Sequence, residues 1–96
     1  MPYSLCMMPS PLNRDDYAVL IDVLRSVRKE AKITQTQLAA ALGVEQSLIS
    51  KIERRERRLD VSELRRVCLV LGVPLLEFIS RYERALDKDF ISGPPS

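Results

Sequence analysis

Histidine is absent from this 96-residue chain, tryptophan is absent too, and only two cysteines and three glycines occur. Each shortage removes a class of function. Without histidine the commonest general base is missing, and no Ser-His or Cys-His pair can be assembled. Cys6 and Cys68 fall short of the four Cys/His ligands that structural zinc sites use, so no metal and no cofactor is expected. The glycines Gly43, Gly72 and Gly93 stand singly, which excludes a Gly-rich phosphate loop. None of the five aromatics lies between Ala18 and Glu77, an arrangement unsuited to stacking single-stranded bases. Long apolar runs are missing as well. Val67–Leu76 is interrupted by Gly72 and Pro74 and is far too short to span a bilayer. Leu5–Met8 is too short for the core of an export signal. A cysteine near the N-terminus and another inside a helical pattern fit a reduced, cytoplasmic chain. These absences point away from an enzyme.

What is present is ordinary globular material, 46% hydrophobic and 29% charged, long enough for one small domain. Five of the six prolines are Pro2, Pro9, Pro11, Pro94 and Pro95, and none occurs from Leu12 through Val73. The expected organisation is a flexible N-terminal arm over 1–13, a domain over 14–88 and a flexible tail over 89–96. Within the domain the apolar residues follow a helical period and almost never a strand-like alternation.

Five helices are expected. The first covers about Arg14 to Ala31, with Tyr17, Leu20, Ile21, Leu24, Val27 and Ala31 on one stripe. Asp15 and Asp16 at its start and Arg28 and Lys29 at its end suit the helix dipole. The second runs from Gln35 to Leu42. Thr34 and Gln37 fit a capping box, Ile33 and Leu38 a hydrophobic staple, and Gly43 a C-terminal stop. The third begins at Gln46 and reaches about Arg54, behind the weak cap Glu45 and the staple Val44–Ile49. The fourth opens on Asp60 with Glu63 as box partner, shows Leu64, Val67, Cys68 and Leu71 as its stripe, and ends at Gly72. Pro74 suits the start of a fifth, whose stripe is Leu75, Phe78, Ile79, Tyr82 and Leu86. The fold class is therefore all-α, with helices two and three forming the compact corner of a helix-turn-helix.

That corner carries the chemistry. On the third helix Leu48, Ile49 and Ile52 face a core, while Ser47, Ser50, Lys51 and Arg54 face away and Gln46 leads. Most polar helix faces are merely solvated, but these donors suit the base edges of a major groove. Charge placement favours the second reading. The net charge is only +2, yet Arg25 through Arg66 holds eleven basic and six acidic residues, a net +5 that leaves −3 elsewhere. Arg54, Arg55, Arg57 and Arg58 crowd just past the third helix, where phosphate-contacting groups belong.

The series Thr34-Gln35, Leu38-Ala39, Leu42-Gly43-Val44, Gln46-Ser47, Ile49-Ser50, Ile52-Glu53, continued by Leu59-Asp60-Val61 and Leu71-Gly72-Val73, resembles the phage repressor/Cro-like regulators, the xenobiotic-response-element family. The likeness covers about Leu20 to Ile79. It implies a compact five-helix, lambda-repressor-like domain whose third helix enters the major groove of double-stranded DNA, acting as a homodimer on a roughly palindromic operator. It further implies base contacts from Gln46, Ser47, Ser50 and Lys51, and phosphate contact from Gln35 at the start of helix two. In the family the helix-two glutamine can bond to the first reading-helix glutamine, here Gln35 and Gln46. Arg28 and Glu53 match a charged pair tying helix one to helix three, a structural role. Arg55 departs from the pattern, since the family usually has glycine there. Either Arg55 is left-handed, at a cost of about 1 kcal/mol relative to glycine, or the third helix runs a residue or two longer and turns differently.

Cys68 lies on an apolar stripe and is expected in the core, and Cys6 has no role assigned. The stripe of the fifth helix has two readings: it closes the core, or, extended by Leu76, Leu86 and Phe90 beyond what one small domain needs, it forms a dimer surface, for which the expected residues are Leu76, Phe78, Tyr82 and Leu86. The function read from all this is a sequence-specific transcriptional repressor without enzymatic activity. The alternative is an antitoxin-like module that binds a protein partner, using segments such as Tyr3–Met8.

Overall fold

The computed structural model describes residues 16–92, with side chains through Asp87. The expected N-terminal arm, with Cys6 and the Tyr3–Met8 segment, lies outside the described residues, as do Arg14, Asp15, the side chain of Phe90 and residues 93–96. Among the described residues there are helices and no strands: α1 (Asp16–Glu30), α2 (Gln35–Leu42), α3 (Gln46–Glu53), α4 (Val61–Leu71) and α5 (Leu75–Ser92). The α5 helix runs through 89–92, into the segment expected as a tail. Asp87, Lys88 and Asp89 supply no glycine or proline to stop it before Gly93.

The local signals act where the sequence places them. Thr34 Oγ1 accepts from the Gln37 N–H at 3.0 Å, and Gln37 Oε1 accepts from the Thr34 N–H at 2.9 Å. Asp60 and Glu63 make the same reciprocal pair ahead of α4, at 2.8 and 3.1 Å. Glu45, a poor capping type, makes no side-chain cap bond to α3.

Four helices end in one geometry. Past α2 and α4 the chain turns left-handed at Gly43 (φ 74°) and Gly72 (φ 78°). The next N–H bonds back five residues, Val44 to the Ala39 carbonyl and Val73 to the Cys68 carbonyl, each at 3.0 Å. This is the Schellman closure that glycine favours. Past α1 and α3 the left-handed residue is Lys32 (φ 60°) or Arg55 (φ 65°) instead. Ile33 then bonds to the Arg28 carbonyl at 3.2 Å and Glu56 to the Lys51 carbonyl at 2.8 Å. A Cβ is strained there. Arg55→Gly is expected to raise stability by about 1 kcal/mol in urea unfolding; a lower unfolding midpoint would overturn the strain argument.

The core is one cluster. Ile21, Leu24 and Val27 of α1 meet Leu38 and Ala39 of α2, Ile49 and Ile52 of α3, and Leu64, Val67, Cys68 and Leu71 of α4. Burial pushes the Cys68 thiol up, which keeps it protonated and unreactive. Phe78 is fully buried, at 0% exposure, and this corrects its assignment to the dimer surface. Because α5 packs on both α1 and α4, the inner edge of its stripe is consumed within the monomer. Leu75, Ile79, Tyr82 and Leu86 are half-buried, and Leu76 stands 83% exposed.

Candidate nucleic-acid interface

Helix α3 is held from behind and open in front. Ile49 and Ile52 anchor it in the core beside α2, Leu48 is half-buried at the edge, and Gln46, Ser47, Lys51 and Arg54 are exposed. Ser50 is half-buried, and its hydroxyl accepts from the Arg54 guanidinium. The polar residues expected to face DNA thus lie on one outward surface, and the apolar ones behind it.

One buried ion pair sets the position of that helix. The Arg28 guanidinium grips Glu53 with two bonds, Nε to Oε2 at 2.7 Å and Nη2 to Oε1 at 3.0 Å. Both groups are shielded, the side chains being 9% and 3% exposed. Arg28 Nη1 also donates to the Ile33 carbonyl at 2.9 Å, so one side chain joins α1, the turn before α2 and the end of α3. Glu53 Oε1 accepts a further bond from Gln35 Nε2 at 2.9 Å, and Gln35 Oε1 accepts from Gln46 Nε2 at 2.7 Å. Arg25 Nε lies 3.7 Å from Glu53 Oε1, a contact the sequence reading missed.

The arginine segment divides into different tasks. Arg54 pairs with Glu56 through two bonds at 3.0 and 3.1 Å. The Arg54 guanidinium beside Glu56 holds that carboxyl below its usual range. Arg57 grips Glu63 at 2.9 and 2.8 Å and donates to the Arg58 carbonyl at 3.0 Å. The same partner holds the Glu63 carboxyl down. Arg58 stacks over the Tyr17 ring, 4.3 Å from its centroid. Arg55 is exposed and has no ion-pair partner among the described residues. Tyr17 is the residue that the sequence undervalued. Its hydroxyl accepts from the Leu59 N–H at 3.1 Å and donates to the Arg57 carbonyl at 3.4 Å, pinning the arginine loop to α1. Its place on the α1 stripe signalled burial, but nothing local signalled partners forty residues away.

No group of residues suited to hold a metal ion occurs among the described residues, and no described helix is long and apolar enough to cross a membrane.

A helix-turn-helix family model matches residues 24–78, the corner and most of the core around it. Among solved structures, an XRE-family like protein from Pseudomonas syringae pv. tomato str. DC3000 is 40% identical, with a TM-score of 0.71. The alignment covers 78% of this chain and 92% of that one. The chain belongs to the XRE-like helix-turn-helix family. No curated protein matches it. Membership makes this XRE-like chain a DNA-binding transcription regulator, and the surface described above is where the XRE-like fold leaves α3 accessible.

Proposed function

We propose that this XRE-like regulator is a cytoplasmic repressor that occupies a roughly palindromic operator as a homodimer, with α3 in the major groove. The observation that carries the reading is the outward face of α3, where Gln46, Ser47 and Lys51 stand exposed on a helix whose opposite face is locked into the core. Gln46, Ser47, Ser50 and Lys51 are assigned to base edges. Gln35, Arg54, Arg55 and Arg58 are assigned to phosphates. Arg57 leaves that group, because Glu63 takes a bond from each of its Nη atoms and the Arg58 carbonyl takes a further one from Nη1; its task is to hold the loop on α4. Arg54 must exchange Glu56 for phosphate, and the exposed setting of that pair makes the exchange inexpensive. The strain at Arg55 is then offset by a cation placed against the backbone of DNA.

Lysine donates to guanine O6 and N7. Lys51→Ala is therefore expected to relax preference at one base pair per half-site by roughly fivefold or more in a binding selection. An unchanged preference removes Lys51 from the reading set.

For the dimer, Phe78 is replaced by what the fold leaves open. Leu69 at the end of α4 is 63% exposed and Leu76 at the start of α5 is 83% exposed, and both are assigned, with Tyr82 and Leu86, to the dimer surface. The double substitution Leu69→Lys/Leu76→Lys is expected to weaken self-association by roughly tenfold or more in sedimentation equilibrium. A dimer of undiminished affinity places the interface elsewhere.

A further inference from the structure

The loop from α3 to α4 is held by side chains rather than by its own backbone. No N–H of residues 57–60 bonds to a backbone carbonyl among the described residues. The Asp60 N–H goes to Glu63 and the Arg58 carbonyl is taken by Arg57 Nη1, both partners lying in the loop or in α4. Tyr17 comes from elsewhere, the first turn of α1. Its hydroxyl accepts from the Leu59 N–H at 3.1 Å and donates to the Arg57 carbonyl at 3.4 Å. Those two groups belong to the peptide units on either side of Arg58. One phenol oxygen, acting as donor and acceptor, therefore restrains both. The ring of the same tyrosine takes the Arg58 guanidinium, 4.3 Å from its centroid. Half-buried Tyr17 thus grips Arg58 by main chain and side chain at once.

We propose that Tyr17 is a positioning residue for DNA binding: by fixing the backbone and the guanidinium of Arg58 together, it holds that cation ready for a phosphate of the duplex. Stacking leaves the donors of Arg58 available. The attraction to the ring acts through the face of the guanidinium, while its N–H groups point outward in the plane. Arg58 is exposed and has no ion-pair partner among the described residues, whereas Arg54 meets Glu56 and Arg57 meets Glu63. A long side chain ordered in advance loses less freedom when its ligand arrives. The first helix thereby contributes to DNA affinity through Arg58. This inference rests on the proposed assignment of Arg58 to a phosphate.

Tyr17→Phe keeps the ring beside Arg58 and removes the hydroxyl alone. Its coupling to Arg58→Ala in a double-mutant cycle is a readout that a merely structural tyrosine would not move. Wild type, Tyr17→Phe, Arg58→Ala and the double variant are titrated with a selected operator and with a scrambled duplex. Each is held below its unfolding range, as read by circular dichroism. Tyr17→Phe is expected to weaken binding to both duplexes by the same factor, roughly fivefold or more, because a phosphate contact carries no sequence information. On the Arg58→Ala background the same substitution is expected to change affinity by less than about twofold. Unchanged affinity in Tyr17→Phe overturns the positioning role, and so does an equal loss with and without Arg58. A loss confined to the selected operator overturns it as well, by placing Tyr17 in base reading. Should Arg58→Ala bind as wild type does, the phosphate assignment of Arg58 fails and this inference with it. Should wild type bind neither duplex, the DNA reading itself fails. As a second measurement independent of DNA, the Leu59 amide is expected to exchange with water about tenfold or more slowly in wild type than in Tyr17→Phe by NMR. Equal exchange overturns the link from the Tyr17 hydroxyl to the loop.

Discussion

Replacing Glu53 by alanine is expected to lower the stability of this domain by about 3–5 kcal/mol, the loss typical of breaking a buried ion pair from one side. The substitution leaves the Arg28 guanidinium shielded from water with two of its bonds gone and strands the Gln35 amide nitrogen. Three elements loosen together, because Arg28 also holds the Ile33 carbonyl ahead of α2. For a domain of this size such a loss corresponds to a fall of roughly 15–30 °C in Tm. Urea and thermal unfolding followed by circular dichroism read it directly. A midpoint within about 0.5 kcal/mol of wild type would refute the role given to the pair.

Phe78→Ala is expected to cost as much, about 3–5 kcal/mol, by opening a cavity where α5 closes on α1 and α4. Phe78 is completely enclosed, whereas Leu76, two positions earlier, is 83% exposed. Leu76→Ala is accordingly expected to stay within about 0.5 kcal/mol of wild type when measured at concentrations where the chain is monomeric. The contrast distinguishes core from surface on a single helix. Equal and small effects from both substitutions would mean that α5 does not seal the core.

Most of the architecture was readable from the sequence because it is encoded by neighbours. Thr34 with Gln37 and Asp60 with Glu63 act across three residues, and Gly43 and Gly72 act at a single one, so their consequences appear in the chain itself. The outward face of α3 was readable for the same reason, from the period that sets Ile49 and Ile52 against Gln46, Ser47 and Lys51. Pairings across the fold were not. The periodicity of α5 put Phe78 on an apolar stripe that suited either the core or a second copy, and could not show that α1 and α4 would cover its inner edge. The Arg54–Arg58 run looked like a uniform set of phosphate contacts, yet its members have different neighbours: Glu56 for Arg54, Glu63 for Arg57 and the Tyr17 ring for Arg58. Lys32 gave no sign of its left-handed conformation because lysine has no preference for it. The ion pair came from family resemblance, while the further bond from Gln35 to Glu53 depends on a distance that only the folded chain supplies.

The central claim is that the XRE-like domain reads a particular operator through α3 while the basic residues around it hold the phosphates. It is tested most directly by titrating wild-type protein with a selected operator and with a scrambled duplex of equal length, across a series of salt concentrations. The account predicts binding to the operator about a thousandfold or more tighter than to the scrambled duplex. It also predicts that log K falls linearly with log salt for both duplexes. Equal affinity for the two sequences at every salt concentration would contradict it.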